Sequence, residues 1–372
     1  MTARSEVRRR PTRDGTPVAQ ITADGPRRAR WDQRAPARSG DVRAVVLHSH
    51  GGPEVLTLEE VEEPALGPEE VLVDIHATAL NRADLLQRMG LYPSPAWEAQ
   101  EIPGMELSGT VRATGQRVVM WQPGDEVMGI VSGGAYAECI AVHERQLLAV
   151  PSSVPLADAA AIPEVFLTAW DALVVQGGLT CGRWALVHAG ASGVGTAAIQ
   201  VAKAIGAFVA VTCSSGKVDR CLALGADAAI DYTSADFVEE IRALTRGQGP
   251  DVILDVVGGD YIDRNLQAIA VQGTVMQVGL LAGGATQVNL GLLLPKRASL
   301  TGTVLRARPL EEKVALTRRF AAEVLPLFDT GDLRPVIDSR YPLEQIAEAH
   351  RAMERNANVG KILIDVVRAR RP

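Results

Sequence analysis

Trp184-Ala-Leu-Val-His-Ala-Gly-Ala-Ser-Gly-Val-Gly-Thr-Ala-Ala-Ile-Gln200 decides how this chain is read. A short apolar run, Trp184 to Val187, leads into Gly190, Gly193 and Gly195. Behind them Val194, Ala197, Ala198, Val201, Ala202 and Ile205 recur at i, i+3, i+4, i+7, the period of a helix with one buried face. Strand, glycine turn and helix together aim backbone N–H groups and a helix N-terminus at a phosphate. Glycine lets the backbone close on a pyrophosphate where a Cβ would stand in the way. The order is G-x-x-G-x-G, not G-x-G-x-x-G, so the pattern by itself also fits an ordinary βα turn. With strand and helix on either side it reads as a dinucleotide site formed by Gly190, Ala191, Ser192, Gly193, Val194 and Gly195.

The next strand bears on which dinucleotide. Phe208-Val-Ala-Val-Thr-Cys213 ends about twenty residues beyond the glycines, where an NAD site places an acid on the ribose 2′-OH. Here Cys213-Ser214-Ser215-Gly216-Lys217 follows, and the first acid after the strand is Asp219. Ser215 and Lys217 could hydrogen-bond and neutralise a 2′-phosphate that an acid would repel. Lys217 could equally be a solvated lysine at a helix start. The missing acid is the better evidence, and it predicts NADPH.

Working outward, the chain from about Glu164 to Arg308 alternates strands with helical segments. The strands are expected at Trp184 to His188, Phe208 to Cys213, Ala228 to Tyr232, Asp251 to Val257, Thr274 to Val278 and Ser299 to Leu305. Helices between them, such as Asp236 to Thr245 and Asp260 to Ala270, predict an α/β unit with a doubly wound parallel sheet. Upstream, from Val42 to about Pro163, short strands (Arg43 to Leu47, Glu70 to Ile75, Leu107 to Arg112, Glu126 to Met128) are punctuated by Pro and Gly, which predicts a mostly β domain. The tail adds a helix over Leu310 to Phe328, another over Ala347 to Arg355 and a strand Lys361 to Val366. Its β-and-turn character predicts a return to the first domain.

The chain has 372 residues, enough for two domains, and 47% of them are apolar. No apolar stretch is long enough for a membrane span. Cys139, Cys181, Cys213 and Cys221 lack C-x-x-C spacing, and the six histidines lack metal spacing, so the sequence predicts no metal site. Four such cysteines suit a reducing cytoplasm. Residues 1–40 hold ten arginines against four acids, a charge of +6, which leaves −12 for the rest of a chain with net charge −6. This basic arm fits a transit peptide, a nucleic-acid tail or a plain extension. It is read as a disordered, functionally silent extension over residues 1–41. Nothing else is basic enough for nucleic acid.

A β domain before a Rossmann unit, with a C-terminal return, resembles the medium-chain dehydrogenase/reductase superfamily. The likeness rests on Ala79-Leu-Asn-Arg-Ala-Asp-Leu-Leu-Gln-Arg88, Ala159-Ala-Ala-Ile-Pro-Glu164 with Leu167-Thr-Ala169, and His188 to Gln200; Gly258-Gly259 and Val359 to Leu363 extend it. Within the superfamily the chain is similar to the zinc-independent quinone oxidoreductases, the group of zeta-crystallin, and most to the tumour-suppressor-inducible subgroup. The resemblance implies a GroES-like domain over 42–165, a Rossmann NADPH domain over 166–308 and a return of 309–372 to the first domain. Where the zinc alcohol dehydrogenases carry ligand Cys and His, this chain has Asn81 and Met105. The implied substrates are quinones or activated enones, good hydride acceptors that need no Lewis acid.

The same resemblance places Asn81 and Tyr92 at the nicotinamide end of the cleft, as donors to a developing oxyanion, with Asp84 beside the substrate. Asn81 could equally be a helix N-cap, Asp84 a first-turn acid and Tyr92 a rim aromatic. It further implies Thr168 near the pyrophosphate or nicotinamide ribose, Tyr232 by the 2′-phosphate, Gly279, Leu280 and Leu281 at a strand end, and, more loosely, Asn358 and Lys361, for which a superficial lysine is the alternative reading. Family relatives commonly pair open sheet edges, so Ser299 to Leu305 would be the edge of a homodimer. Two other readings stay open: an NADPH-dependent enoyl-thioester reductase, and an NADPH-binding protein without turnover.

Overall fold

The protein is described here from a computed structural model over residues 40–92 and 101–366. All but the last two residues of the predicted extension, and residues 367–372 of the tail, lie outside the described residues.

Apolar residues at Val42, Ala44 and Val46 face inward from β1 (Asp41–Leu47), which pairs antiparallel with β2 (Leu56–Glu62). A seven-stranded sheet follows. It comprises β3 (Glu70–Ala79), β4 (Glu106–Thr114), β5 (Glu126–Ile130), β6 (Cys139–His143), β7 (Leu147–Ala149), β14 (Ile337–Pro342) and β15 (Lys361–Asp365). Its order is β14-β15-β3-β4-β5-β7, with β6 also on β3. The C-terminal β15 runs antiparallel to β3, Leu363 opposite Ala79, so the end of the chain re-enters the first sheet. Helix α1 (Arg82–Arg88) leaves the end of β3.

Two helices, α2 (Leu156–Ala159) and α3 (Pro163–Trp170), the latter running into a π-helical turn over Asp171–Gln176, lead to the second sheet. There β8 (Trp184–Val187), α4 (Gly193–Ala204), β9 (Phe208–Cys213), α5 (Val218–Ala223), β10 (Ala228–Asp231), α6 (Phe237–Leu244), β11 (Val252–Asp255), α7 (Tyr261–Ala268), β12 (Thr274–Gln277), α8 (Leu293–Lys296) and β13 (Ser299–Gly302) alternate. All six strands are parallel in the order β10-β9-β8-β11-β12-β13. That is the doubly wound α/β order, and its direction of travel reverses between β8 and β11, where such sheets bind ligands. β11 is buried throughout, as a central parallel strand covered on both faces must be.

The tail supplies α9 (Leu310–Glu323), α10 (Pro326–Asp329) and α11 (Ile346–Glu354). Phe328 of α10 and Phe320 of α9 meet Phe166 and Trp170 of α3 edge to face, at 4.9 and 6.0 Å between ring centres. The single helix expected over Leu310 to Phe328 is broken in two before Pro326, which cannot donate into a continuing helix. The expected strand Ser299 to Leu305 ends at Gly302.

Candidate active-site cleft

The glycine turn leaves β8 at the point where the sheet reverses. A Cβ on Gly190 would stand 2.5 Å from the Cβ of Val211, and one on Gly195 would stand 2.4 Å from the carbonyl oxygen of Ala189. Only glycine fits either position. Ser192 caps α4, its Oγ accepting the Gly195 N–H at 3.0 Å. Around the turn, a Cβ on Gly193 would meet Val165 and the Lys361 stem at 2.9 and 2.8 Å, and Gly360 donates its N–H to the Ala191 carbonyl at 2.9 Å. Ala191 is buried, whereas Gly193 and Val194 keep partial exposure at the helix start. The sequence segment thus forms a backbone cradle walled by α3 and by the tail.

At the other end of the cradle, Ser215 and Lys217 occupy one short helical turn after β9. Lys217 donates to the carbonyls of Asn356 and Asn358 at 2.7 and 2.8 Å, and burial holds its ammonium below the usual lysine range. Asn358 folds its own amide back to Gly360 O at 2.8 Å. The sequence predicts no acid here, and the structure corrects this. Parallel register sets Asp231, the last residue of β10, opposite Cys213, and its carboxylate accepts Ser215 Oγ at 2.6 Å. The hydroxyls of Ser215 and Thr233, with the Thr233 N–H, pull that carboxyl down to about 2. Tyr232 is exposed beside it. The Cys213 thiol lies against Cys221, both unbridged.

The nicotinamide end expected from the sequence is a buried polar network. Lys361 is not superficial: it is almost wholly buried, and its ammonium donates to Leu80 O at 2.7 Å, to Asn81 Oδ1 at 2.6 Å and ion-pairs with Glu106 Oε1 at 2.7 Å. Those three contacts use its three N–H bonds. Asn81 Nδ2 in turn donates to Glu106 Oε1 at 2.9 Å. Asn81 is also the N-cap residue of α1, and its backbone N–H donates to Asp84 Oδ2 at 2.8 Å. Asp84 is buried beneath the cleft, where it accepts the Tyr136 hydroxyl at 3.1 Å, and burial raises its carboxyl to about 6. His350 stands edge-on to Tyr136. Burial lowers the His350 imidazole to about 3, with Arg88 adding repulsion.

Tyr92 lies partly buried with the Arg306 guanidinium over its ring, 5.0 Å from the centre, and burial raises its hydroxyl. Thr168 is buried, and its Oγ1 has no hydrogen-bond partner among the described residues. Gly279, Leu280 and Leu281 follow β12, the two leucines exposed and the Gly279 carbonyl accepting Gln277 Nε2 at 2.6 Å. Sequence reasoning passed over Glu106, Glu164, Arg306, Tyr136 and His350. The signal for Glu106 was its place directly after Met105; Glu164 closes one of the quoted stretches. Among the described residues no group of three His, Cys, Asp or Glu side chains could hold a metal, and Met105 is buried. No helix among them is long and apolar enough to cross a membrane.

Two families match this chain: the alcohol dehydrogenase GroES-like domain over residues 67–152 and the zinc-binding dehydrogenase over residues 193–321. A quinone oxidoreductase-like protein 2 homolog of Nematostella vectensis is 30% identical over 358 residues, covering 95% of this chain and 97% of that protein. The structure of Escherichia coli quinone oxidoreductase complexed with NADPH superposes with a TM-score of 0.79 at 29% identity, covering 87% of this chain and 100% of that one. An NAD-dependent alcohol dehydrogenase structure gives a TM-score of 0.79 at 34% identity, with the same coverage.

Proposed function

The chain belongs to the medium-chain dehydrogenase/reductase superfamily, and within it we propose that it is an NADPH-dependent reductase of quinones or activated enones that uses neither metal nor flavin. One observation carries the reading: a glycine cradle stands at the reversal point of a parallel sheet, packed against Val165 of α3 and against the stem of Lys361, which holds Asn81, and the buried Thr168 hydroxyl of α3 has no hydrogen-bond partner among the described residues.

The residues present fit a dinucleotide. The cradle and the α4 N-terminus suit a pyrophosphate, and Thr168 Oγ1 is a free donor for the ribose or amide beyond it. Reduced nicotinamide, when bound, supplies a hydride. Ser215, Lys217 and Tyr232 favour a 2′-phosphate, and Asp231, already saturated by hydroxyl donors, opposes it only in part. Asn81 and Met105 favour chemistry without zinc, because the Asn81 amide is spent on Glu106 and Lys361 and a buried thioether is a poor zinc ligand. In this reading Asn81 would hold the wall of the cleft in shape, and Tyr92, half-buried under Arg306, would offer its hydroxyl to the acceptor.

The edge strand β13, with Leu300 exposed, suits a two-fold partner and hence a homodimer. The free thiols suit the cytoplasm. Oxidation of NADPH and of NADH, followed against panels of quinones, enones, enoyl thioesters and primary alcohols, tests the assignment. Turnover of alcohols alone, or no turnover at all, defeats it.

A further inference from the structure

Among the described residues, Glu164 is a carboxyl at the site with no task in the proposed function. It opens α3, and its backbone N–H is fixed on Glu106 Oε2 at 2.8 Å. Thr168 lies one helical turn further along the same face. The residue as a whole keeps partial exposure, while its carboxyl is held among buried groups. Charged groups from every surrounding element act on it: Asp84 of α1, Glu106 of β4, Lys361 of β15 and Arg306 beyond β13. Tyr92 and Lys313 of α9 feel its charge in turn. Burial and the two carboxylates outweigh the cations, so the carboxyl is pushed up to about 8 and holds its proton at neutral pH.

Arg306 supplies an independent observation. Only 7% of it is exposed; its Nε donates to the Ser132 carbonyl, and both Nη1 and Nη2 are buried with no hydrogen-bond partner among the described residues. Beside it the Lys313 ammonium is held by Ser132 Oγ at 2.7 Å. Unfilled donors on a buried guanidinium are costly to keep. Here they stand in the field of a carboxyl that is neutral at rest and would become their counter-charge on losing its proton.

We propose that Glu164 is the proton donor of this reductase, a catalytic residue whose hydroxyl serves the acceptor's oxygen, and that Arg306 is the positioning residue that receives the resulting carboxylate. The proposal rests on the reductase reading. A bound reduced nicotinamide would supply the two electrons and one hydrogen, as hydride, that the acceptor takes up. The Glu164 O–H bond breaks, its proton forms the new O–H on the acceptor's oxygen, and the electron pair stays on Glu164. The carboxylate then accepts from Arg306 until water returns a proton. Asp84, in the first turn of α1, cannot serve in its place, because it is fully enclosed: its Oδ2 is taken by the Asn81 N–H and the Tyr136 hydroxyl, and its Oδ1 is buried as well.

Two measurements test this on the full chain. Infrared difference spectra of cofactor-free protein between pH 6 and 10 should show a protonated-carboxyl band that titrates near pH 8, absent in Glu164→Gln and moved to higher pH in Arg306→Gln. In steady state, kcat for an enone should fall in the wild type as pH rises through that value. Glu164→Gln should lower kcat about 10²-fold, the low end for general acid catalysis, and remove that pH limb while NADPH affinity by fluorescence titration is unchanged. Glu164→Asp should restore part of the rate. A wild type active on enones whose Glu164→Gln variant keeps both rate and pH limb overturns the proposal and leaves the reductase reading intact; a wild type inactive with every acceptor defeats the reading itself. If Glu164→Gln does not fold, a wild-type infrared spectrum with no carboxyl titrating between pH 7 and 9 overturns the proposal.

Discussion

Replacing Lys361 by methionine removes one ammonium from a place where three elements meet. The methionine keeps much of the stem that runs beside Gly193, so the change isolates the charge. Glu106, fully buried, would keep Asn81 Nδ2 at 2.9 Å and the Glu164 N–H at 2.8 Å but lose its one ion-pair partner among the described residues. The Leu80 carbonyl and Asn81 Oδ1 would each lose a charged donor. Breaking a buried ion pair costs about 3–5 kcal/mol, and the two surviving donors on Glu106 place this case near the lower end, about 3 kcal/mol. With a urea slope of about 3 kcal/mol per molar, the midpoint should fall by about 1 M. Neutralising the stranded partner should repair part of the loss. Glu106→Gln in the Lys361→Met background should recover roughly 1–2 kcal/mol, within the coupling range of residues in contact, although Glu106→Gln alone destabilises. Urea unfolding of the four proteins of this cycle, by tryptophan fluorescence and circular dichroism, reads it out. A single-variant loss below about 1 kcal/mol, or a double variant no better than the sum of the singles, refutes the reasoning that this pair holds the tail strand to the cleft.

Four further outcomes are expected. Lys217→Ala should weaken NADPH by about 1–3 kcal/mol, the scale of a charge-assisted hydrogen bond, and leave NADH nearly unchanged in calorimetric titrations; equal losses defeat the 2′-phosphate assignment. His350, held neutral down to about 3 against an ordinary value near 6.5, contributes stability that is full above pH 6.5 and lost as pH falls towards 3. At about 1.4 kcal/mol per pH unit the wild type should lose about 2 kcal/mol between pH 6.5 and 5 through this group, and denaturation of His350→Gln at the two pH values should show a correspondingly flatter profile. Tyr92→Phe should slow quinone reduction about tenfold, well inside the 10²–10³ limit for removing one preorganised donor, and slow enone reduction more; unchanged rates on both acceptors would take Tyr92 out of the site. Light scattering at micromolar concentration should give a dimer mass, and an Arg at Leu300 on the exposed edge should shift it to monomer.

The parallel sheet could be read along the chain because its inner strands are short apolar runs followed by helix-period segments. Phe208–Cys213 was bounded to the residue. What escaped reading lacks a pattern to read. Helix α3 is buried on nearly every side, so its residues show no polar face, and its π-helical continuation has no sequence period of its own. β7 has three residues and β14 alternates without a strongly apolar face, so each depends on its neighbours for definition. The break at Pro326 was visible in the sequence and was overridden by the periodicity around it.

The site divides along the same line. The cradle lies in one unbroken segment, and its glycines announce the close approach that the backbone makes. Asp231 contradicts a reading confined to the end of β9, because the acid arrives laterally from the parallel neighbour and register, not sequence distance, delivers it. The network of Asn81, Glu106, Glu164 and Lys361 draws one residue each from four elements. No window along the chain contains two of its charges in the arrangement they adopt. Lys361 looks superficial for the same reason: a lone lysine ahead of an apolar strand reads as solvated until the strand is seen to dock beside β3 with a carboxylate waiting next to it. A property such as the proton retained by Glu164 belongs to the crossing of these elements, since the identical residue at the start of an isolated helix would ionise in water. Chemistry that depends on a displaced pKa is therefore the part of function that a sequence motif points towards without containing.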